Sequence, residues 1–238
     1  MSRKVFKIII IFVIGTIGGI FADQILWPYF IERPLFYKYR LEQAPIHVTE
    51  TNEIIIQENT ALQDAFEKVE KAVVGIRTII KKEKTIEGSG IVVTSDGLIV
   101  TLAELVPQDE NSVLFIDNTA PIHQVLKRDL ENNLALIKIE ETNLPTIGFA
   151  EWGNLRFGQR VFLIGAVLEN NGLEKIVNEG IIKTYNNKSI QTNITEKDNL
   201  NGSPLFNIEG QLIGLNIVDS EGKVSAISVS KIQEFIGF

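Results

Sequence analysis

The chain contains no cysteine, which excludes disulfides and thiolate metal sites. That absence leaves the compartment open, since an oxidising one is tolerated. Histidine is scarce as well: His47 and His123 are the only two, too few for a multi-histidine metal centre. Basic charge is in deficit. The 23 Lys and Arg against 30 Asp and Glu leave a net charge of −7, whereas a nucleic-acid partner calls for a basic field. There is no internal repeat and no low-complexity tract. Nothing in the composition asks for a cofactor. What is present is ordinary for a globular protein, with 45% hydrophobic and 22% charged residues over 238 positions. Setting aside a membrane segment and a linker, roughly 180 residues remain. They suffice for one well-buried domain, or one domain of two similar halves.

The longest apolar run stands at the N-terminus. "IIIIFVIGTIGGIFA", Ile8 to Ala22, carries no charge. As a helix its fifteen residues span roughly 22 Å, short of the ~30 Å hydrocarbon core. Val5 and Phe6 lengthen it on one side, because Lys7 can snorkel, and Gln24 to Trp27 lengthen it on the other. The aromatic stretch "WPYFIERPLFYKYR" then suits a water–lipid boundary. Arg3, Lys4 and Lys7 keep the N-terminus cytoplasmic and send the rest outside. A signal peptide cleaved after Ala22 is the rival reading. Ile20 and Phe21 make a poor small-x-small site, which favours an uncleaved anchor over residues 1–27. Gly15 and Gly19 form a GxxxG, but glycine is common in membrane helices anyway.

Residues 28–58 read as a stalk broken by Pro28, Pro34 and Pro45. From Asn59 the pattern becomes helical, with Leu62, Phe66, Val69 and Val73 on one face and Asn59 or Thr60 as N-cap. Short β-branched segments follow, each bounded by turn residues. The first group is "GIRTII", "GSGIVVTSDGLIVTLAEL", "SVLFID", "IHQVLKR" and "LALIKIE". The second is "RVFLIGAV", "KIVNEGIIKTYN", "SIQTNIT", "PLFNIEGQLIGLNIV" and "VSAISVS". Asp96-Gly97 reads as a two-residue hairpin turn, and "SKIQEFIGF" as a closing helix. Two successive groups of strands predict an all-β pair of antiparallel barrels or sandwiches, about 70–145 and 146–230, within a domain spanning 59–238.

Several stretches resemble HtrA-type serine proteases, relatives of trypsin with a double six-stranded antiparallel β-barrel. "GSGIVVTSDGLIVTLAELV" resembles the strand–turn–strand that opens their first barrel, and "RDLENNLALIKIE" the strand that follows. "LRFGQRVFLIGAV" is similar to the first strand of the second barrel, and "LNGSPLFNIEGQLIGLNI" to the nucleophile loop and its hairpin. Order and spacing agree from about Phe66 to Ile236. The resemblance implies a catalytic triad at three places, and each holds a different residue. The histidine motif T-N-N-H-V-V reads Thr101-Leu102-Ala103-Glu104-Leu105-Val106, with Glu104 for the base. The acid of D-L-A-x-L-K is replaced by Asn133. The serine of G-N-S-G-G-P-L is replaced by Asn201.

That chemistry needs a hydroxyl, a base of pKa near 7 and a carboxylate to orient it. An amide at 201 is not a nucleophile at neutral pH. The oxyanion hole of the parent scheme uses backbone N–H groups of the nucleophile and of a glycine two residues earlier. That earlier position is Asn199, while Gly202 keeps the glycine that follows the nucleophile. The reading is therefore a catalytically inactive pseudoprotease that binds a protein or peptide partner, such as another envelope protein or a protease subunit. The alternative is a serine endopeptidase with a displaced site, Ser203 with Glu104. Pro204 biases Ser203 toward extended geometry, and glutamate is a poor base for serine unless its pKa is raised. One carboxylate and two amides at Glu104, Asn133 and Asn201 are too few for a hard-cation cage, and read as a polar network. The family usually adds a PDZ domain, for which the chain, ending at Phe238, leaves no room. Relatives form trimers through the segment before the first barrel, so a homotrimer is expected.

Overall fold

The computed structural model describes residues 3–32, 58–80, 84–108, 110–117, 119–169 and 172–237. The chain divides into two units, Met1–Ile54 and Ile55–Phe238. In the first, helix α1 covers Arg3–Phe21 and continues as a π-helical stretch over Ala22–Glu32. Val5–Trp27 is long and apolar enough to cross a membrane. The helical stretch runs past Pro28, where the sequence predicted the stalk to begin. A proline lacks the N–H that a regular helix uses, and the i→i+5 pattern is one way to pass it. The rest of the predicted stalk, 33–57 with His47, lies outside the described residues.

The second unit opens with helix α2, Glu58–Val69. Asn59 and Thr60 lie inside this helix and are not its cap. Val73, predicted on the helix face, already belongs to a strand, because a 3-10 turn at Glu70–Ala72 ends the helix. Ala65 and Val69 are buried, and the Lys68 ammonium donates to the Glu209 carbonyl at 2.9 Å. α2 is thereby held against the distant turn at Gly210.

Six strands make the first sheet: β1 Val73–Ile80, β2 Lys84–Val92, β3 Leu98–Leu102, β4 Asn111–Phe115, β5 His123–Asp129 and β6 Leu134–Ile139. Their order is β4-β1-β2-β3-β6-β5. The second sheet holds β7 Gly148–Phe149, β8 Arg160–Glu169, β9 Gly172–Tyr185, β10 Ser189–Thr195, β11 Pro204–Asn207, β12 Gln211–Val218 and β13 Lys223–Ser228. Its order is β11-β8-β9-β10-β13-β12-β7, and β11 also pairs with β12. That last pairing closes six strands into a barrel, with β7 added as a short parallel edge.

The fold is therefore mostly β with two antiparallel sheets, and one of the two predicted barrels is only half closed. Among the described residues β4 pairs with β1 alone and β5 with β6 alone. Closure requires a continuous ladder around the ring. The β5–β6 ladder carries a register shift between Val125 and Lys127, a bulge that bends this edge strand.

Period-2 alternation explains the long apolar run of β8. Val161 and Leu163 point into the closed barrel, whereas Phe162, Ile164 and Ala166 belong to the core shared with the first sheet. Leu205 and Phe206 on β11, and Ile213 and Leu212 on β12, divide in the same way. Phe162 and Phe206 meet at 5.4 Å between ring centroids. Strands buried on both faces read as unbroken hydrophobic runs, and these three form the seam between the sheets.

The turn at Asp96-Gly97 is wider than two residues. Val93 N–H bonds to the Leu98 carbonyl at 2.8 Å, so four residues lie between them. Gly97 has φ +96°, and a Cβ there would meet the Ile139 carbonyl at 2.5 Å. The chain closes with helix α3, Val229–Ile236. Ser228 caps it, Gly237 ends it in the left-handed region, and Val229, Ile232 and Phe235 are buried.

Candidate functional site

Two turns from the first sheet and one from the second hold Glu104, Asn133 and Asn201, the residues that the sequence resemblance sets against the family's triad. Glu104 lies on a 3-10 turn, Ala103–Leu105, that follows β3, and its side chain is exposed. The buried Thr78 hydroxyl donates to the Leu105 carbonyl at 2.6 Å and holds this turn down. Asn133 precedes β6 with φ +52°, a left-handed conformation that asparagine tolerates. Its Oδ1 accepts from Glu104 N–H at 3.1 Å, and its carbonyl accepts from Ala103 N–H at 3.1 Å. Asn133 thus positions the backbone of the Glu104 turn.

Asn201 ends a 3-10 turn, Asp198–Leu200, just before β11. Its side-chain Oδ1 accepts from Val218 N–H on β12 at 2.7 Å. Its carbonyl accepts from Ser89 N–H on β2 at 2.8 Å, which ties the two sheets together. Its own N–H donates to the Asp198 carbonyl at 3.0 Å. By the sequence resemblance that N–H is the one an oxyanion hole is expected to use, and here it is bonded inside the turn. Asn199, expected at the second oxyanion position, is half-buried in the same turn. Gly202 has φ +75°, and a Cβ on it would meet the Ser89 carbonyl at 2.3 Å, so no side chain fits.

Ser203 is wholly buried. Its Oγ accepts from the Asn216 amide at 3.0 Å, and its carbonyl accepts from Asn216 N–H at 2.8 Å. Glu104 and Asn201 line one hollow of about 330 Å³, together with Thr85, Glu87, Asp198 and Asn199. A second hollow of about 880 Å³ is also lined by Glu104, takes in Asn133 and is lined by residues of β5. Ser203 lines neither hollow. The structure brings Glu104 to Asn133 and to Asn201, and leaves Ser203 in the core. His123 stands at the start of β5, opposite Ile139. Among the described residues no group of three or more His, Cys, Asp or Glu is placed to hold a metal.

The sequence reading did not find Ser89, Asp198 or Asn216. Ser89 Oγ accepts from Ala166 N–H at 2.8 Å, and its carbonyl accepts from the Thr101 hydroxyl at 2.7 Å, so one buried serine on β2 bonds to both β8 and β3. Its place between Gly88 and Gly90 was the available signal: small residues where backbones crowd. A Cβ on Gly88 would lie 2.5 Å from the Asn201 carbonyl. A second cross-sheet tie comes from Lys175 on β9, whose ammonium donates to the Val73 carbonyl. Burial pulls that amine down to about 8, while Asp117 and Glu70 push it the other way.

Known proteins agree with this architecture. The family model described as trypsin-like peptidase domain matches residues 88–215, just over half of the chain. A probable periplasmic serine endoprotease, DegP-like, from Halomonas elongata is 32% identical over 144 residues, 57% of this chain and 30% of that protein. Serine protease HTRA1A from Danio rerio is 32% identical over 196 residues, 74% of this chain and 40% of that protein. The chain thus spans less than half the length of these relatives. Among solved structures, the serine endoprotease from Yersinia pestis superposes with a TM-score of 0.65 at 24% identity, covering 74% of this chain and 65% of that one. Deg5 gives 0.65 at 22% identity, covering 75% and 93%. At such identities the structures speak for the fold. Sheet topology, the order of the three site turns and the family match lead to one assignment: the chain belongs to the trypsin-like peptidase domain family, in its HtrA-type branch.

Proposed function

We propose that this protein is a catalytically inactive HtrA-type pseudoprotease, anchored in the cell membrane by a single N-terminal helix, that binds a peptide or protein partner outside the cytoplasm. The observation that carries the reading is the state of Asn201. Its side chain is an amide already bonded to Val218 N–H, and its backbone donor is bonded to Asp198. Neither nucleophile nor oxyanion donor faces the cleft, and Glu104 has no hydroxyl there to activate.

Binding is supported by the edge of β2. β3 covers only Gly90–Val92, so among the described strands nothing pairs with the outer edge of Thr85–Glu87, which lines the smaller hollow. An extended peptide can add to such an edge by backbone hydrogen bonds. The partner belongs to the cell envelope, either another envelope protein or a protease subunit, and a homotrimer is the assembly the family resemblance suggests. The membrane part of the proposal rests on the 23-residue span and on Arg3, Lys4 and Lys7 before it.

The names of the relatives favour a second reading, an endopeptidase using Ser203 with Glu104. Against it stands the full burial of Ser203 beside Asn216. Incubation of the full chain with a fluorophosphonate probe separates the two. No labelling is expected under conditions that label an active HtrA-type protease, and labelling of Ser203 would establish the enzyme instead. External protease added to spheroplasts should digest the domain, and full protection with digested controls would reverse the topology.

A further inference from the structure

Glu104 lines both hollows. Their charges differ in sign. The smaller one is lined by Glu104, Asp198, Glu87 and a single described cation, Lys84. Glu87 is engaged by Arg77 at 2.7 Å, whereas Glu104 and Asp198 have no ion-pair partner among the described residues. The larger one is lined by Lys127 and Arg128. The Lys127 ammonium donates to the Phe235 carbonyl at 3.0 Å and sits 4.5 Å from the centre of that ring. Arg128 Nη2 donates to the Pro107 carbonyl at 3.0 Å. Both cations are therefore held in place by neutral groups, and neither is in an ion pair with a carboxylate among the described residues. Leu126 and Leu130, 49% and 81% exposed, add apolar surface to this end.

The ways in also differ. Among the described residues, the β2 edge beside the smaller hollow is regular and without a paired strand, open to a backbone ladder. β5 is bulged where it pairs with β6 and carries the exposed Lys127, and both features discourage strand addition to this edge strand. A ligand of the larger hollow is therefore held by its side chains.

Resting on the peptide-binding reading above, we propose that the two hollows form one charge-polarised groove for an extended peptide with a basic residue at one end and an acidic residue beside an apolar one at the other. The backbone pairs with the β2 edge. The basic side chain faces Glu104 and Asp198. The acidic one meets Lys127 and Arg128, with its apolar neighbour on Leu126 and Leu130. Charge of this kind sets orientation and register more than affinity, so charge order along the peptide is what the groove reads.

Fluorescence anisotropy on the full chain in lipid nanodiscs tests this with three labelled peptides: Glu-Leu-Val-Thr-Val-Lys, its reverse Lys-Val-Thr-Val-Leu-Glu, and the neutral Gln-Leu-Val-Thr-Val-Gln. One charged order should bind about tenfold more tightly than both the other order and the neutral peptide. Lys127→Glu and Arg128→Glu should each reduce that preference severalfold, and replacing the glutamate of the preferred peptide by lysine should restore its binding to Lys127→Glu. Should Arg128→Glu fail to fold, the exposed Lys127→Glu carries the test. Equal binding of all three peptides, indifferent to Lys127→Glu, overturns the polarity and leaves peptide binding standing. Binding of none overturns both.

Discussion

Under the proposed pseudoprotease reading, Glu104→His, Asn133→Asp and Asn201→Ser together should give a poor protease, and the deficit can be worked out from the Asp198–Asn201 turn. The turn must open before the N–H of residue 201 can face an oxyanion. Opening breaks two backbone bonds, Asn201 N–H to the Asp198 carbonyl and Leu200 N–H to the Lys197 carbonyl, each 3.0 Å. At about 1 kcal/mol apiece this leaves roughly one molecule in thirty open. The Asn201→Ser change also removes the 2.7 Å bond to Val218 N–H, which loosens the turn by about 1 kcal/mol. The closed form, lacking one oxyanion donor, is slower by about 10²–10³, so turnover runs through the open minority. The triple variant should therefore fall about five- to thirty-fold below a quadruple variant that adds Asn199→Gly to free the loop. The assay is kcat/KM on an unfolded protein substrate, paired with the rate of fluorophosphonate labelling at residue 201. Equal values for the triple and quadruple variants would refute the claim that the turn withholds the donor. Asn201→Ser alone should stay silent, because no base is present.

Three other outcomes follow from the geometry. With its amine lowered to about 8, Lys175 holds fewer protons in the folded than in the unfolded chain between pH 8 and about 10.5. Stability should therefore rise with pH across that window. The full shift is worth about 3 kcal/mol, and partial exposure trims it to about 1–2 kcal/mol. Urea unfolding of Lys175→Met should lack that rise, and parallel pH curves for the two proteins would remove the cause. Gly202→Ala must place a Cβ 2.3 Å from the Ser89 carbonyl at φ +75°, so a loss of about 2 kcal/mol or more is expected in the same measurement. Leu163→Ala opens a void inside the closed barrel and should cost about 2–5 kcal/mol, whereas Leu126→Ala on the exposed edge should stay within about 0.5 kcal/mol.

Much of the architecture could be read from local pattern. β-branched runs separated by turn residues placed the strands, because side-chain alternation and turn chemistry act within a few residues. The unbroken run of β8 signalled a strand buried on both faces. What it could not signal was which face met which core, since Phe162 and Val161 are equally apolar and only the neighbouring sheet distinguishes them. Asp96-Gly97 marked a turn but not its width, which a hydrogen bond from Val93 to Leu98 decides. Val73 fitted the helical spacing, yet its eight-residue strand pairs with both β2 and β4, and that pairing outweighs the propensity of one position.

By itself the sequence determined which groups stand at the three positions set against the family's triad, a carboxylate at 104 and amides at 133 and 201, together with a membrane-length apolar helix and the strand positions. Covalent identity does not depend on folding. Tertiary structure alone decided where the donors point. The Asn201 N–H turns to Asp198, Ser203 is sealed against Asn216, and Glu104 faces two hollows of opposite charge. It also decided that one sheet closes and the other does not. Each of these is a pairing between groups brought together by the path of the whole chain, or a hydrogen bond whose direction depends on backbone angles that local propensity leaves free.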